Sequence, residues 1–274
     1  MLKKILNYFL NFYIRVFSFK FFHNFHRLVI HSSLRATGYK NFGNLRLTGE
    51  KKLLKIINKH NINLSIDIGA NIGNFSKEII LTTDSMVVAI EPMLQSYKKL
   101  KKLETQFDKR INCFNLALSN KNKKMKFFFQ SSESELASFS ENVKNLNYID
   151  KNKIKFKIIN SVTLDSFVNK NKNLFRNGID FIKIDTEGHD HKVLEGSKKT
   201  IKKFKPKFIQ FEMNWHYLFD SVNIHNICSK LDEYNLFRIL PYEAGLIKAD
   251  FKHPDDNIFH LSNFVLVRKD IKIL

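Results

Sequence analysis

From Leu64 onward, short apolar runs alternate with amphipathic segments. Residues 64–68 suit a buried strand, a helix follows through about residue 81, residues 86–90 repeat the strand pattern, a helix starts at Met93, and 111–116 is apolar again. Strand alternating with helix in this way builds parallel βαβ units. The middle is less regular, with a strand at 127–129, a polar loop over 131–140 and an extended stretch near 155–162, read as an insertion or a hairpin extension. Alternation then resumes with a short helix at 163–168, a strand at 180–185, a helix at 193–204 and a strand at 207–213. After a helix near 224–234, β-like runs at 237–240 and 263–267 close the chain, as a sheet with an antiparallel edge strand requires. Residues 1–48 differ: Phe9, Phe12, Phe17, Phe21, Phe22 and Phe25 stand among basic residues with helical periodicity. The expected organisation is an N-terminal helical extension over 1–48 and a single α/β domain over 49–274.

Composition changes this picture in two places. The formal net charge of +20 would attract nucleic acid, acidic glycans or anionic headgroups, yet Lys, Asn, Ile and Phe are abundant together and the lysines are spread along the chain, as an AT-rich coding sequence also produces. Both readings stay open. Cys113 and Cys228 are far apart, which supplies neither a disulfide framework nor a cysteine zinc site and suits a reducing cytosol. The uncharged run at 5–14 resembles a signal peptide, but no small-residue cleavage site follows, and Arg15, Lys20 and Arg27 interrupt the pattern before the roughly 20 residues of a membrane span. The expectation is a cytoplasmic protein whose N-terminal segment either packs on the domain or lies on the inner membrane surface, with the packed arrangement preferred.

Candidate chemistry concentrates at strand ends. Ser65-Ile-Asp-Ile-Gly-Ala-Asn-Ile-Gly-Asn-Phe-Ser76 lies at a strand-to-helix junction, where an open α/β sheet binds ligands. Gly69 and Gly73 let backbone approach a ligand, and Asp67 stands just before the turn. The glycine spacing is not that of G-x-G-x-x-G. A pyrophosphate seeks amide donors, whereas S-adenosylmethionine presents an amino-acid moiety and a sulfonium, for which a nearby carboxylate is useful. The next strand ends in Glu91-Pro92, where an acid can accept both ribose hydroxyls of an adenosine.

Taken together, these motifs resemble the FkbM-type family of class I methyltransferases. The resemblance rests on Ile66-Asp-Ile-Gly-Ala-Asn-Ile-Gly73, Ala89-Ile-Glu-Pro92, Asn115-Leu-Ala-Leu-Ser119, Val162-Thr-Leu-Asp165 and Ile182-Lys-Ile-Asp-Thr-Glu-Gly-His189, which leads into Val193-Leu-Glu-Gly196. It covers roughly residues 50–215 and implies a Rossmann-like, mostly parallel seven-stranded sheet with the last strand antiparallel. It also implies methyl transfer from S-adenosylmethionine to oxygen, often on a sugar or a polyketide hydroxyl. The implied cofactor-binding set is Asp67, Gly69, Ala70, Asn71, Gly73, Asn74, Glu91, Pro92 and Ala117. Family membership does not fix the acceptor.

The segment Asp185-Thr-Glu-Gly-His-Asp-His191 follows an apolar strand and should reach the same sheet edge. Asp185, Glu187 and His189 are the candidates for aligning the acceptor and removing its proton. Glu187 has a second reading as a cap of the following helix, Asp185 as an organiser of the loop, and Asp190 and His191 are expected to face solvent. A divalent metal on these carboxylates and His, joined by Glu212, is the competing use and is not favoured, because nothing marks a full ligand set. Trp215, His216 and Tyr217 either line an acceptor pocket or pack as an ordinary loop. The leading function is O-methylation of a sugar, glycan or related small molecule. Its rivals are an RNA ribose methyltransferase, argued from net charge but lacking an RNA-binding module, and a non-catalytic S-adenosylmethionine-binding protein.

Overall fold

The computed structural model describes residues 2–129 and 153–273; the polar loop expected over 131–140 lies outside them. Ten of its strands and helices set the site: β1 (Leu64–Ile68), α4 (Asn74–Thr82), β2 (Met86–Ile90), α5 (Leu94–Gln106), β3 (Ile111–Phe114), α6 (Leu164–Lys170), β7 (Phe181–Ile184), α7 (Asp190–Glu195), α8 (Lys198–Phe204) and β8 (Phe208–Met213). They are preceded by α1 (Leu2–Phe17), α2 (His23–Ala36) and α3 (Glu50–Asn58), and followed by α9 (Ile224–Cys228), β9 (Tyr234–Ile239), β10 (Leu246–Lys248) and β11 (Ser262–Arg268).

The main sheet runs β10-β9-β11-β8-β7-β1-β2-β3. β3, β2, β1, β7 and β8 pair in parallel, while β11 inserts antiparallel between β8 and β9. This is the Rossmann-like arrangement with an antiparallel late strand. The sheet has eight strands rather than seven, because the three-residue β10 adds to β9, a pairing too short to leave a periodic signature. A separate three-stranded sheet, β4 (Ala117–Leu118), β6 (Lys155–Val162) and β5 (Lys123–Phe129), contains the expected hairpin extension.

Both faces of the main sheet are covered, so its strands read as near-continuous apolar runs. Ile66, Ile68, Ile182, Ile184, Ile209 and Phe211 pack into one core cluster, and Val87, Ala89, Phe181, Phe208, Val265 and Val267 into the other. The expected helix at 193–204 is broken into α7 and α8. Asp165, in the loop-to-helix motif of α6, accepts from the backbone N–H of Lys199 and Thr200 and starts α8 afresh, while Gly196 approaches the Ser119 carbonyl so closely that a Cβ would lie 2.2 Å from it. The helix expected through 234 ends at Cys228, since Tyr234 belongs to β9 and its hydroxyl donates to the Pro206 carbonyl. The strand expected over 111–116 stops at Phe114 because the Asn115 side chain turns back to donate to the carbonyls of Glu91 and Pro92.

Contrary to the preferred expectation, α1 is not buried against the domain, and α2 meets it only near its C-terminal end. Among residues 3–36 none is buried, and only Leu34 reaches the core from α2. The following segment is firmly held, with the Arg238 guanidinium donating to the Thr37 carbonyl, the Tyr39 hydroxyl and Asp256.

Candidate active site

A cavity of about 510 Å³ opens at the carboxyl edge of β1, β2, β7 and β8. Its position follows from the topology, because helices leave the parallel strands at that edge and open a crevice between them. The turn after β1 is tied to the neighbouring strand, with the N–H groups of Gly69 and Ala70 both donating to the Ile90 carbonyl. Gly69 has φ +80°, and a Cβ there would lie 1.8 Å from the Asp185 carbonyl oxygen, so no side chain fits. Asn71 and Glu187 also line the cavity with left-handed backbone, at φ 50° and 53°, conformations that cost non-glycine residues energy and cluster at functional sites.

Glu91 is buried at the cavity wall. One carboxylate oxygen accepts from the Asn71 N–H at 2.9 Å and the other from the Met93 N–H at 2.7 Å, so both are fixed in place with lone pairs remaining. Burial lifts its pKa to about 7 against these two backbone bonds.

Beneath the cavity a charged row crosses the sheet. The register sets Asp67 beside Lys183 and Lys183 beside Gln210. The Lys183 ammonium lies 3.0 Å from Asp185, 3.8 Å from Asp67 and over the Phe75 ring. Burial opposes its charge, but Asp185, Asp67 and Glu50 outweigh that and hold it above the ordinary lysine range. Asp67 is raised by burial, with Lys183 and the Ser76 hydroxyl, which donates at 2.6 Å, acting in the opposite sense. Glu50, at the start of α3, accepts from Thr48 and from the Gln210 amide and is also raised by burial. Glu212, from the end of β8, accepts from the Asn214 amide at 2.7 Å. Burial first, then Asp185, Glu187 and Asp190, push its carboxyl well above the usual range.

The cavity gathers part of the sequence-derived set. Gly69, Asn71, Glu91, Pro92, Ala117, Asp185 and Glu187 line it. Asp67 lies under the floor, Ala70 and Gly73 are buried in the turn, and Asn74 is exposed at the start of α4. His189 is not brought to the cavity. Its Nε2 is 2.9 Å from the Ser119 hydroxyl, the residue is buried, and burial drives its pKa down to about 3. Asp190 and His191, expected in solvent, are buried as well, because α7 turns its first residues inward. α7 begins after His189, two residues beyond Glu187, and the Asp190 carboxylate accepts from the Thr186 N–H. Of the aromatic loop, His216 and Tyr217 are buried and Trp215 partly so, and none lines the cavity; the Tyr217 hydroxyl donates to the Glu212 carbonyl.

Sequence reasoning missed Glu50, Asn263, Met93, Ser96 and the rim at Asn41, Phe42 and Gly43. The one available signal was Glu50 itself, the first acid after 49 residues without one. No group of three or more His, Cys, Asp or Glu residues placed to hold a metal occurs among the described residues.

The methyltransferase FkbM domain model matches residues 67–239, more than half of the chain. The chain belongs to this family. Membership makes it an S-adenosylmethionine-dependent methyltransferase. No curated protein matches the chain. Among solved structures it is similar to an O-methyltransferase from Bacillus cereus in complex with SAH, at 9% identity and TM-score 0.44, with 94% of this chain and 96% of that one covered. It is also similar to an rRNA methylase from Streptococcus thermophilus, at 9% identity and TM-score 0.43, with 83% and 98% covered. Likeness at this level carries no argument about the acceptor.

Proposed function

We propose that the protein transfers a methyl group from S-adenosylmethionine to a hydroxyl of a sugar, glycan or related small molecule. One observation carries this reading. In a chain of net charge +20, the cavity is lined by Glu50, Glu91, Asp185, Glu187 and Glu212 and, among the described residues, by no Lys, Arg or His. Such a lining favours a cationic donor, whose charge draws the raised carboxyls toward their ionised form, and a neutral polyol over a polyanion. When bound, S-adenosylmethionine supplies the electrophilic methyl group. Glu91, with its oxygens already oriented by two amides, accepts the ribose hydroxyls, and Gly69, Asn71, Pro92 and Ala117 form the surrounding wall. Asp185, tied to Lys183, and Glu187 orient the reacting groups.

The proton of the acceptor hydroxyl needs a base within hydrogen-bond reach. His189 faces Ser119 instead, and its low pKa makes it a poor proton acceptor. Glu212 lines the cavity with a raised proton affinity, and it ionises more readily once positive charge occupies the space. It is the residue assigned to that role.

The test is incubation of the purified full chain with methyl-labelled S-adenosylmethionine and parallel pools of oligosaccharides, small polyols and RNA. Alkali-stable label in the saccharide or polyol pool supports the proposal. Label in RNA alone, or donor binding without turnover on any pool, overturns it in favour of a ribose methyltransferase or a binding protein.

A further inference from the structure

The N-terminal helices are the largest feature the methyltransferase reading does not use. In α1, Lys3, Asn7, Asn11 and Arg15 recur every fourth residue along one side, with Lys4 beside them. The rest of the surface is apolar, and Ile5, Leu6, Phe9, Leu10, Phe12 and Val16 are all exposed, Phe9 by 70% and Leu6 by 67%. Ile5, Tyr8, Phe9 and Phe12 line an open trough with Lys4 at its edge. A helix this apolar on one face must be covered by something.

The two helices form one unit. Tyr13 stacks on Phe17, Phe17 meets Phe22 and Phe25, and His26 lies 3.0 Å from the Tyr13 hydroxyl and 2.7 Å from the Phe17 carbonyl. This aromatic corner turns outward a tip in which Phe19 and Phe21 are exposed on either side of Lys20. Beyond it, Phe25, Leu28, Val29 and Ile30 of α2 are exposed too.

Charge selects the occupant. Residues 1–49 contain Lys3, Lys4, Arg15, Lys20, Arg27, Arg35, Lys40 and Arg46 and no Asp or Glu. A face meant for a second copy of itself would set these cations against one another, whereas an anionic bilayer neutralises them while taking up the aromatic and aliphatic side chains. No helix among the described residues is long and apolar enough to cross a membrane, which leaves a helix lying in the interfacial plane. We propose that α1, the Phe19–Phe21 tip and the exposed side of α2 form an interfacial anchor that seats the enzyme on an anionic lipid surface.

The test is flotation of the full chain with vesicles of phosphatidylcholine alone and of phosphatidylcholine with phosphatidylglycerol at about three to one. The anchor predicts that the protein rises with the anionic vesicles and that added salt weakens the association. Phe9→Glu with Phe12→Glu should lower partitioning at least about tenfold, and Lys3→Gln, Lys4→Gln and Arg15→Gln together should remove the preference for anionic vesicles. All five positions are exposed, so donor binding measured in parallel should be unchanged and reports that the variants are folded. Wild-type protein that stays at the bottom with anionic vesicles overturns the proposal. So does light scattering that shows a dimer dissociated by the Phe9→Glu and Phe12→Glu pair while vesicles are ignored, since a second copy would then cover the face.

Discussion

Replacing Glu91 with Gln probes the cofactor reading most directly. The side chain is buried, and its two oxygens are held by the amides of Asn71 and Met93 at 2.9 and 2.7 Å, so Gln keeps the volume and one of these bonds, while its NH2 group meets the other amide donor to donor. What is lost is the charge and one acceptor oxygen. Hydrogen bonds to charged groups contribute about 1.5–3 kcal/mol each, so losing one from the ribose weakens S-adenosylmethionine binding roughly 10- to 150-fold in Kd. Acidity supplies an independent signature. Burial lifts the Glu91 pKa to about 7 in the free protein, and the proposed ribose contact uses the ionised form. Wild-type affinity should therefore weaken by up to about tenfold per pH unit below pH 7 and level off above it, while Glu91→Gln should be flatter across the same range. Calorimetry with S-adenosylmethionine at pH 5.5, 7 and 8.5, with the melting temperature of each protein as a folding control, measures both effects. A Gln variant within about twofold of wild type, or a wild-type Kd independent of pH, would refute the assignment.

The other predictions address the remaining groups around the cavity. Glu212→Gln should slow turnover by roughly 10²–10⁴-fold with donor affinity nearly unchanged, as single-turnover kinetics and calorimetry would establish together. His189→Ala should lower the melting temperature by losing the contact with Ser119 yet leave turnover within about threefold of wild type; a hundredfold loss would return the base to His189. Gly69→Ala forces a Cβ to 1.8 Å from the Asp185 carbonyl, and calorimetry should find donor binding abolished in any protein that remains soluble. Asp190 is buried, and desolvation followed by the Asp185 charge raises its pKa to about 8. Its folded-state pKa lies above the unfolded one, so its contribution to stability is complete below about pH 4 and is lost as the pH rises through 8. Melting temperatures at pH 6 and pH 9 should therefore fall less for Asp190→Asn than for wild type.

The strand-helix alternation from Leu64 determined the parallel sheet, because strands buried on both faces must be apolar and the helices between them amphipathic, and both patterns are local. The turn at Gly69, the acid at Glu91 and the return of chain to the cavity at Asp185 and Glu187 were legible for the same reason: in this topology the residue after a parallel strand stands at the ligand edge. Tertiary structure decided what depends on partners distant in sequence. Glu50 reaches the cavity only because α3 packs so that its carboxylate meets Gln210, 160 positions away, and the Glu212 carboxyl is pushed well above the usual range by burial first and then by Asp185, Glu187 and Asp190 converging on it. His189 occupies a motif that points to chemistry, yet the chain turns its ring toward Ser119, 70 positions earlier, where burial keeps it neutral. For the N-terminal helix the sequence determined an amphipathic surface, and only the fold decided that the domain does not cover it.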